Sequence, residues 1–277
     1  MVSRRAFLIG GAAGAVGVGA AGLGGAQTSF GRRALHAAGL LDSPDIAVPD
    51  PGFDVPVDPG ALPSGRRFLL ARTSPERPQA SIVCLHGRND DMRVPFDVLG
   101  VHRFAAAAGM PLVIASVDGG PASYWHRRRG APGDPLADLA DLAALELPDG
   151  PTAVMGWSMG GYGALLAAIE RPGEYAAVVA SSPAVFRTFD DAAEGAFDDA
   201  ADFDRHSVLD RLDRLRGARV RVDCGEDDPF APVSGELLRR VDGAEGRIGP
   251  GFHDPPFWRS VLPAQLAFLA RVFPITP

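Results

Sequence analysis

Cysteine is scarce in this 277-residue chain, which has two, Cys84 and Cys224. That count excludes a small domain stapled by disulfides. Cys84 lies in the apolar run Ala80–Leu85 and Cys224 ends the run 219–224, so both read as small buried hydrophobes on different strands. Neither stands in a lipobox near the N-terminus. An excess of positive charge is also missing. The formal net charge is -7, which gives no support to a nucleic-acid partner. The one short basic run, Arg127-Arg128-Arg129, reads as a solvated loop or as salt-bridge partners. Zinc, EF-hand and P-loop spacings are absent, so neither a metal nor a cofactor is expected. There is no internal repeat.

The N-terminus reads as an address. Ser3-Arg4-Arg5-Ala6-Phe7-Leu8 is a twin-arginine pattern followed by a Gly/Ala-rich stretch to Ala26. Residues 1–26 are expected to be an export segment for the twin-arginine machinery, giving a secreted or envelope-associated protein. Membrane contact is expected only through that segment, where it stays uncleaved. Residues 27–65 are expected to form a linker, because Pro44, Pro49, Pro51, Pro56, Pro59 and Pro63 forbid a helix over 42–65.

From Arg66 to the C-terminus the chain alternates short apolar strands with amphipathic helices. Strands are expected at 67–72, 80–86, 111–116, 152–156, 176–181, 219–224 and 245–248. Helices are expected at 97–108, 135–146, 159–170, 205–216, 233–241 and 259–272. Strands that are apolar on both faces and separated by helices imply a mostly parallel sheet covered on both sides. Residues 66–277 are thus expected to be one α/β domain, with ligand chemistry at the C-terminal ends of the strands. Cys84 and Cys224 fall on strands that are not neighbours in such a sheet, so no disulfide is expected. The stretch 186–204, acidic with interspersed phenylalanines, breaks the alternation and reads either as a cap or as a solvated excursion.

Gly156-Trp157-Ser158-Met159-Gly160 sits between an apolar strand and a small-residue helix, the context a nucleophile elbow needs. On so tight a turn, side chains two residues before and after the serine collide, and the two glycines remove them. A serine hydroxyl needs a base, and the base an orienting acid. Gly225-Glu226-Asp227-Asp228 supplies acids after a strand, and His253 follows on a Gly-flanked loop before the last helix. That is the chain order Ser, acid, His. The other histidines compete less well. His36 lies in the presequence region, His102 and His206 fall in or at helices, and His86 reads as shaping the loop after its strand. The oxyanion donors are expected to be the N–H groups of Met159 and of Arg88, with Asn89 as the alternative. Trp157, Tyr124, Trp125 and His126 are candidate walls of the substrate pocket.

These segments carry a resemblance. Leu85-His86-Gly87-Arg88, Val117-Asp118-Gly119-Gly120 with Tyr124-Trp125-His126, the run Gly156–Gly163, Ala180-Ser181-Ser182-Pro183-Ala184, and Asp223-Cys224-Gly225 with Asp228-Pro229-Phe230 resemble the exported esterase-type α/β-hydrolases of actinobacteria. That group is similar to carboxylesterases, S-formylglutathione hydrolases and mycolyltransferases. The resemblance implies an α/β-hydrolase fold over about 66–272. It also places the acid at the D of a G-x-x-D-x-F pattern, which selects Asp228. Pro229 biases Asp228 towards extended geometry, which leaves Asp227 to face solvent or cap the turn. Arg88-Asn89 stands where relatives often have glycines.

The expected function is hydrolysis of a carboxylic ester, small or lipid, through an acyl-enzyme on Ser158, with His253 as base and Asp228 as its partner. Acyl transfer to an envelope sugar or lipid is the alternative, and a non-catalytic envelope binding protein a more distant one.

Overall fold

Alternate side chains along the central strands point to opposite faces, and this divides the core into two layers. The computed structural model describes residues 28–274. The chain falls into two units, Met1–Leu41 and Asp42–Pro277. The expected export segment, 1–26, lies outside the described residues. In the first unit helix α1 (Ser29–Ala37) starts at Thr28, whose hydroxyl accepts the Gly31 N–H at 3.1 Å. Among the described residues no helix is long and apolar enough to cross a membrane.

The second unit is built on eight strands: β1 (Val57–Ala61), β2 (Arg67–Arg72), β3 (Ala80–Leu85), β4 (Leu112–Val117), β5 (Thr152–Trp157), β6 (Ala177–Ser181), β7 (Arg219–Gly225) and β8 (Glu245–Gly249). Their spatial order is β1-β2-β4-β3-β5-β6-β7-β8. The pairs β1/β2 and β2/β4 are antiparallel and the others parallel. The helices are α2 (Val94–Asp97), α3 (Val101–Ala107), α4 (Pro135–Glu146), α5 (Met159–Glu170), α6 (Ala200–His206), α7 (Ala231–Arg240) and α8 (Pro255–Val272). Val83, Leu85, Val154, Val178 and Val222 face the layer that holds α4, α5 and α7. Ile82, Cys84, Met155, Trp157 and Val179 face the layer that holds α2, α3 and α8. The expected doubly covered, mostly parallel sheet is what forms. Cys84 on β3 and Cys224 on β7 are buried and free, with two strands between them.

Three expectations need correction. The boundary at 65 is too late: residues 42–65 are part of the second unit rather than a linker. β1 extends the sheet, Ser43 is buried and its hydroxyl accepts the Phe252 N–H at 2.9 Å, and Asp45 pairs with Arg259. The expected helix 97–108 is two helices, because Gly100 takes a left-handed φ of 68° between them. The expected helix 205–216 is the end of α6 followed by a 3-10 segment, Leu209–Leu215.

Candidate active site

β5 ends and α5 begins on either side of Ser158, which has φ 56° and ψ -122°. Few non-glycine residues occupy positive φ, and strain of this kind concentrates at functional turns. The surrounding contacts enforce it. A Cβ on Gly160 would lie 1.9 Å from the Leu85 carbonyl oxygen, and one on Gly156 would lie 2.2 Å from the Gly160 carbonyl oxygen. The Ser158 N–H donates to Ser181 O at 2.9 Å, and its carbonyl accepts the Ala184 N–H at 3.0 Å. The serine is thus fixed at the C-terminal edge of the sheet.

Two loops at the same edge bring the acid and the base. The Glu226 N–H donates to Gly249 O at 2.6 Å and the Asp227 N–H to Gly251 O at 3.1 Å, so the loops after β7 and β8 are stitched together. A Cβ on Gly225 would meet Gly251 O at 2.4 Å, which is why that approach needs glycine. His253 Nε2 lies 2.8 Å from Ser158 Oγ, and His253 Nδ1 lies 2.8 Å from Asp228 Oδ2. Asp228 is fully buried, and its other oxygen accepts the Phe230 N–H at 2.7 Å. The carboxylate accepts from Nδ1–H. That tautomer leaves Nε2 bare to accept the serine proton. His253 packs its ring edge-on to Trp258 at 5.3 Å. Trp258 in turn donates to Ser182 Oγ at 3.1 Å, and Gln265 donates to Ser181 Oγ and Asp223 Oδ2, which fastens α8 to the strand ends. Asp227 is also buried, which removes the solvent-facing one of its two expected positions, and its N–H joins its loop to the His253 loop.

The loop after β3 meets the elbow at Gly87, where an added Cβ would lie 3.6 Å from Ser158 Cβ. Asn89 has given its N–H to Pro121 O at 2.6 Å, so the alternative donor of this loop is already engaged. The Met159 N–H is one of the orphan donors of the first turn of α5. His86 does not reach the serine. Its Nδ1–H donates to Gly87 O at 2.8 Å and its Nε2 accepts the Gly119 N–H at 3.0 Å. Burial lowers its basicity, so the ring is held neutral as a structural bracket for the loop.

The four expected pocket walls, Tyr124, Trp125, His126 and Trp157, are all buried, at most 2% exposed. Trp157 points into the α8 layer. Tyr124 and Trp125 both take positive φ, 49° and 56°, which turns them inward. Trp125 then donates from Nε1 to His86 O at 3.2 Å, bracing the same loop. His126 stacks on Phe197 and His206. These side chains build the frame rather than an open wall. Half-buried Phe230 and Phe186 lie on the His253 side of the site. Phe230 lies 5.4 Å from the His253 ring and 5.7 Å from Phe186. Phe230 is the F of the G-x-x-D-x-F pattern, which could have flagged it. Phe186 had only the break in alternation as a signal.

The stretch 186–204 folds back over this edge. Arg88 Nη2 donates to Glu194 O at 2.8 Å. Arg128 donates to Gly195 O, Ala196 O and Asp198 Oδ1 at 2.7, 2.9 and 3.0 Å, and Arg129 pairs with Asp199. Two of the three arginines in the basic run are therefore salt-bridge partners.

The fold has known counterparts. A family model described as "Putative esterase" matches residues 134–247, under half of the chain. The match includes Ser158 and Asp228 and stops short of His253. Among curated proteins none matches. Among solved structures, a ferulic acid esterase superposes with a TM-score of 0.65 at 22% identity, covering 80% of this chain and 100% of that one. The S-formylglutathione hydrolase of Agrobacterium tumefaciens gives 0.63 at 18%, covering 79% and 94%. MPT51 (FbpC1) of Mycobacterium tuberculosis gives 0.62 at 17%, covering 79% and 100%. The fold is that of the α/β-hydrolases. The expected resemblance to esterase-type members holds, and the family match supports esterase or acyl-transfer activity.

Proposed function

We propose that the protein is a serine esterase that cleaves carboxylic esters through an acyl-enzyme on Ser158. The observation that carries this reading is the continuous hydrogen-bonded series Ser158 Oγ, His253 Nε2, His253 Nδ1, Asp228 Oδ2, both links 2.8 Å long. His253 takes the serine proton as Oγ attacks the ester carbonyl. Asp228 holds the resulting imidazolium. The N–H groups of Arg88 and Met159 hold the oxyanion, each such donor contributing about 3 kcal/mol to the transition state. His253 then protonates the departing alkoxide. In the second half-reaction it deprotonates the water that releases the acid. No step needs a cofactor.

A fluorophosphonate probe tests the nucleophile, and p-nitrophenyl esters of graded acyl length test the reaction. The expected result is stoichiometric labelling of the wild type, none of Ser158→Ala, and turnover that depends on acyl length. Labelling of Ser158→Ala, or wild type that turns over no ester, would reject the reading. Acyl transfer to an alcohol uses the same first half-reaction. Products formed with and without added alcohol separate the two acceptors.

We further propose export by the twin-arginine route, on the Ser3-Arg4-Arg5-Ala6-Phe7-Leu8 pattern. Lysine at both Arg4 and Arg5 is expected to leave precursor in the cytoplasm. Undiminished export of that variant points to another route.

A further inference from the structure

Away from Ser158, the described residues hold one group of side chains with metal-ligating chemistry: His126, Asp202 and His206. One ligand atom from each lies within 4.8 Å of the others. His126 sits on the loop after Trp125. Asp202 and His206 are i and i+4 on α6, which puts them on one face of the helix. His126 and Asp202 are 1% and 2% exposed, and His206 is half-buried.

The hydrogen bonds leave a conflict at the centre of this group. His126 Nδ1 lies 3.0 Å from Tyr124 O, and a carbonyl only accepts, so the ring proton is on Nδ1. A neutral imidazole then has a bare lone pair at Nε2. That lone pair points at Asp202 Oδ2, 3.2 Å away. Two acceptors therefore face each other in a buried site. Either a proton or a cation must lie between them. A histidine whose far N–H is pinned to a backbone carbonyl, with the other nitrogen aimed at a carboxylate, is also the arrangement that orients metal-ligating histidines. His206 closes the third side. Its Nδ1 lies 3.1 Å from Asp202 Oδ1, and its ring stacks on His126 at 4.2 Å between centroids.

We propose that His126 Nε2, the Asp202 carboxylate and the His206 imidazole form a binding site for a divalent transition-metal ion, zinc foremost. Two histidines and one carboxylate suit zinc, which completes a tetrahedron with water. On binding through Nδ1, His206 exchanges its donation to Asp202 O, 2.9 Å away, for coordination, and its proton moves to Nε2. Asp202 keeps lone pairs to spare while it accepts from the Asp198 N–H and from Arg205. The ion would sit between α6 and the loop 124–129. Through Trp125 that loop braces the Arg88 loop, so the role of the site is to fix the frame rather than to touch substrate. Chain spacing hides the site, since His126 lies 76 residues before Asp202.

The test is zinc titration of chelator-stripped full-length protein by calorimetry, with cobalt absorption as a spectroscopic check. The expected result is one zinc bound by the wild type. His206→Gln, at the half-buried position, and His126→Gln are expected to weaken binding at least about tenfold, the scale at which even outer-shell changes act on metal sites. Zinc should raise the melting temperature of the wild type and not that of His206→Gln. His253→Gln controls for zinc caught by the Ser158 site, and is expected to keep full affinity. Three results would overturn the proposal: no zinc binding by the wild type, wild-type affinity in His206→Gln, or loss of binding in His253→Gln. The first leaves a buried imidazolium–carboxylate pair as the occupant.

Discussion

The elbow is set by steric contacts, whereas the segment that folds over it adds ion pairs to its apolar packing. From Ala153 to Ile169 every residue but Ser158 is buried, and close backbone contacts at Gly156 and Gly160 set the turn. From Phe186 to His206 the chain is rich in acidic residues, and arginines hold it alongside Phe197 and Phe203, which pack into the core. Arg88, Arg128 and Arg129 reach it from two other loops, and Arg187 reaches from it to Glu236. Steric constraint needs particular residues at particular local spacings, so it is written in the sequence. Charge pairing joins residues about seventy positions apart and writes no local pattern. The first kind of constraint should be indifferent to salt, and the second should weaken with it.

The sharpest separation of chemistry from frame is Ser158→Ala. Turnover should fall by about a millionfold, as for the loss of a triad serine elsewhere, while the melting temperature stays near that of the wild type. The turn geometry comes from the glycines, and alanine keeps the serine's Cβ. A large fall in stability would mean that Oγ is a structural anchor.

Asp228→Asn comes next. It should lower turnover by up to about ten-thousandfold through loss of the imidazolium partner and of the correct tautomer. Asp227→Asn should cost far less turnover. Asp227 is buried, so any loss there should appear as stability instead. Steady-state kinetics on both variants decides it, and the reverse ranking would move the acid to Asp227.

Gly160→Ala attacks the frame directly. The new methyl would have to displace the Leu85 and His86 carbonyls, which are backbone. A cost of about 4 kcal/mol or more is expected, read by chemical denaturation, with activity lost alongside. Arg128→Met makes the matching change in the facing segment. It removes one guanidinium from three acceptors in that segment and from Ala122 O, and should cost about 1–2 kcal/mol. Limited proteolysis near 190–195 should quicken in the variant. The same cleavage in wild type should quicken with salt, while denaturation of the elbow does not.

Much of the frame was legible for this physical reason. Buried parallel strands are continuous apolar runs, and seven were placed within about two residues, the usual precision of element ends. β1 was not found. Its sequence Val-Asp-Pro-Gly-Ala is polar, with a proline and a glycine, which an edge strand tolerates and an inner strand does not. That Ser158, His253 and an acid of the loop after β7 meet at one edge was legible from order along the chain and local glycines, and Asp228 was singled out by Pro229 and by the resemblance. The pocket was not legible. Aromatics beside a functional loop suggest walls at Tyr124, Trp125 and His126, but with positive φ at Tyr124 and Trp125 the rings lie inward, a choice no local pattern records. The pairing of His126 with Asp202 depends on how two distant loops meet.

The smallest effect concerns a charge beside the elbow. Asp90 is half-buried against Gly87, where an added Cβ would lie 2.7 Å from its Oδ2. Burial raises the basicity of this carboxyl, with Asp91 adding to the effect. Hydrogen bonding to the Gly87 backbone and the electrostatic effect of nearby His253 oppose it. A carboxyl with a raised folded-state pKa is destabilising once ionised. Its penalty is absent below the ordinary carboxylate pKa and complete above the raised one. Asp90→Asn keeps an acceptor and removes the charge. It should therefore raise the melting temperature slightly near neutral pH, and the gain should shrink to nothing as pH falls through the carboxylate range. Thermal denaturation across that range reads the difference. A loss of stability at neutral pH would mean that bonding to the Gly87 backbone outweighs burial. In that case a charge helps hold the steric region as well, and the division between the two regions is less clean than their contacts suggest.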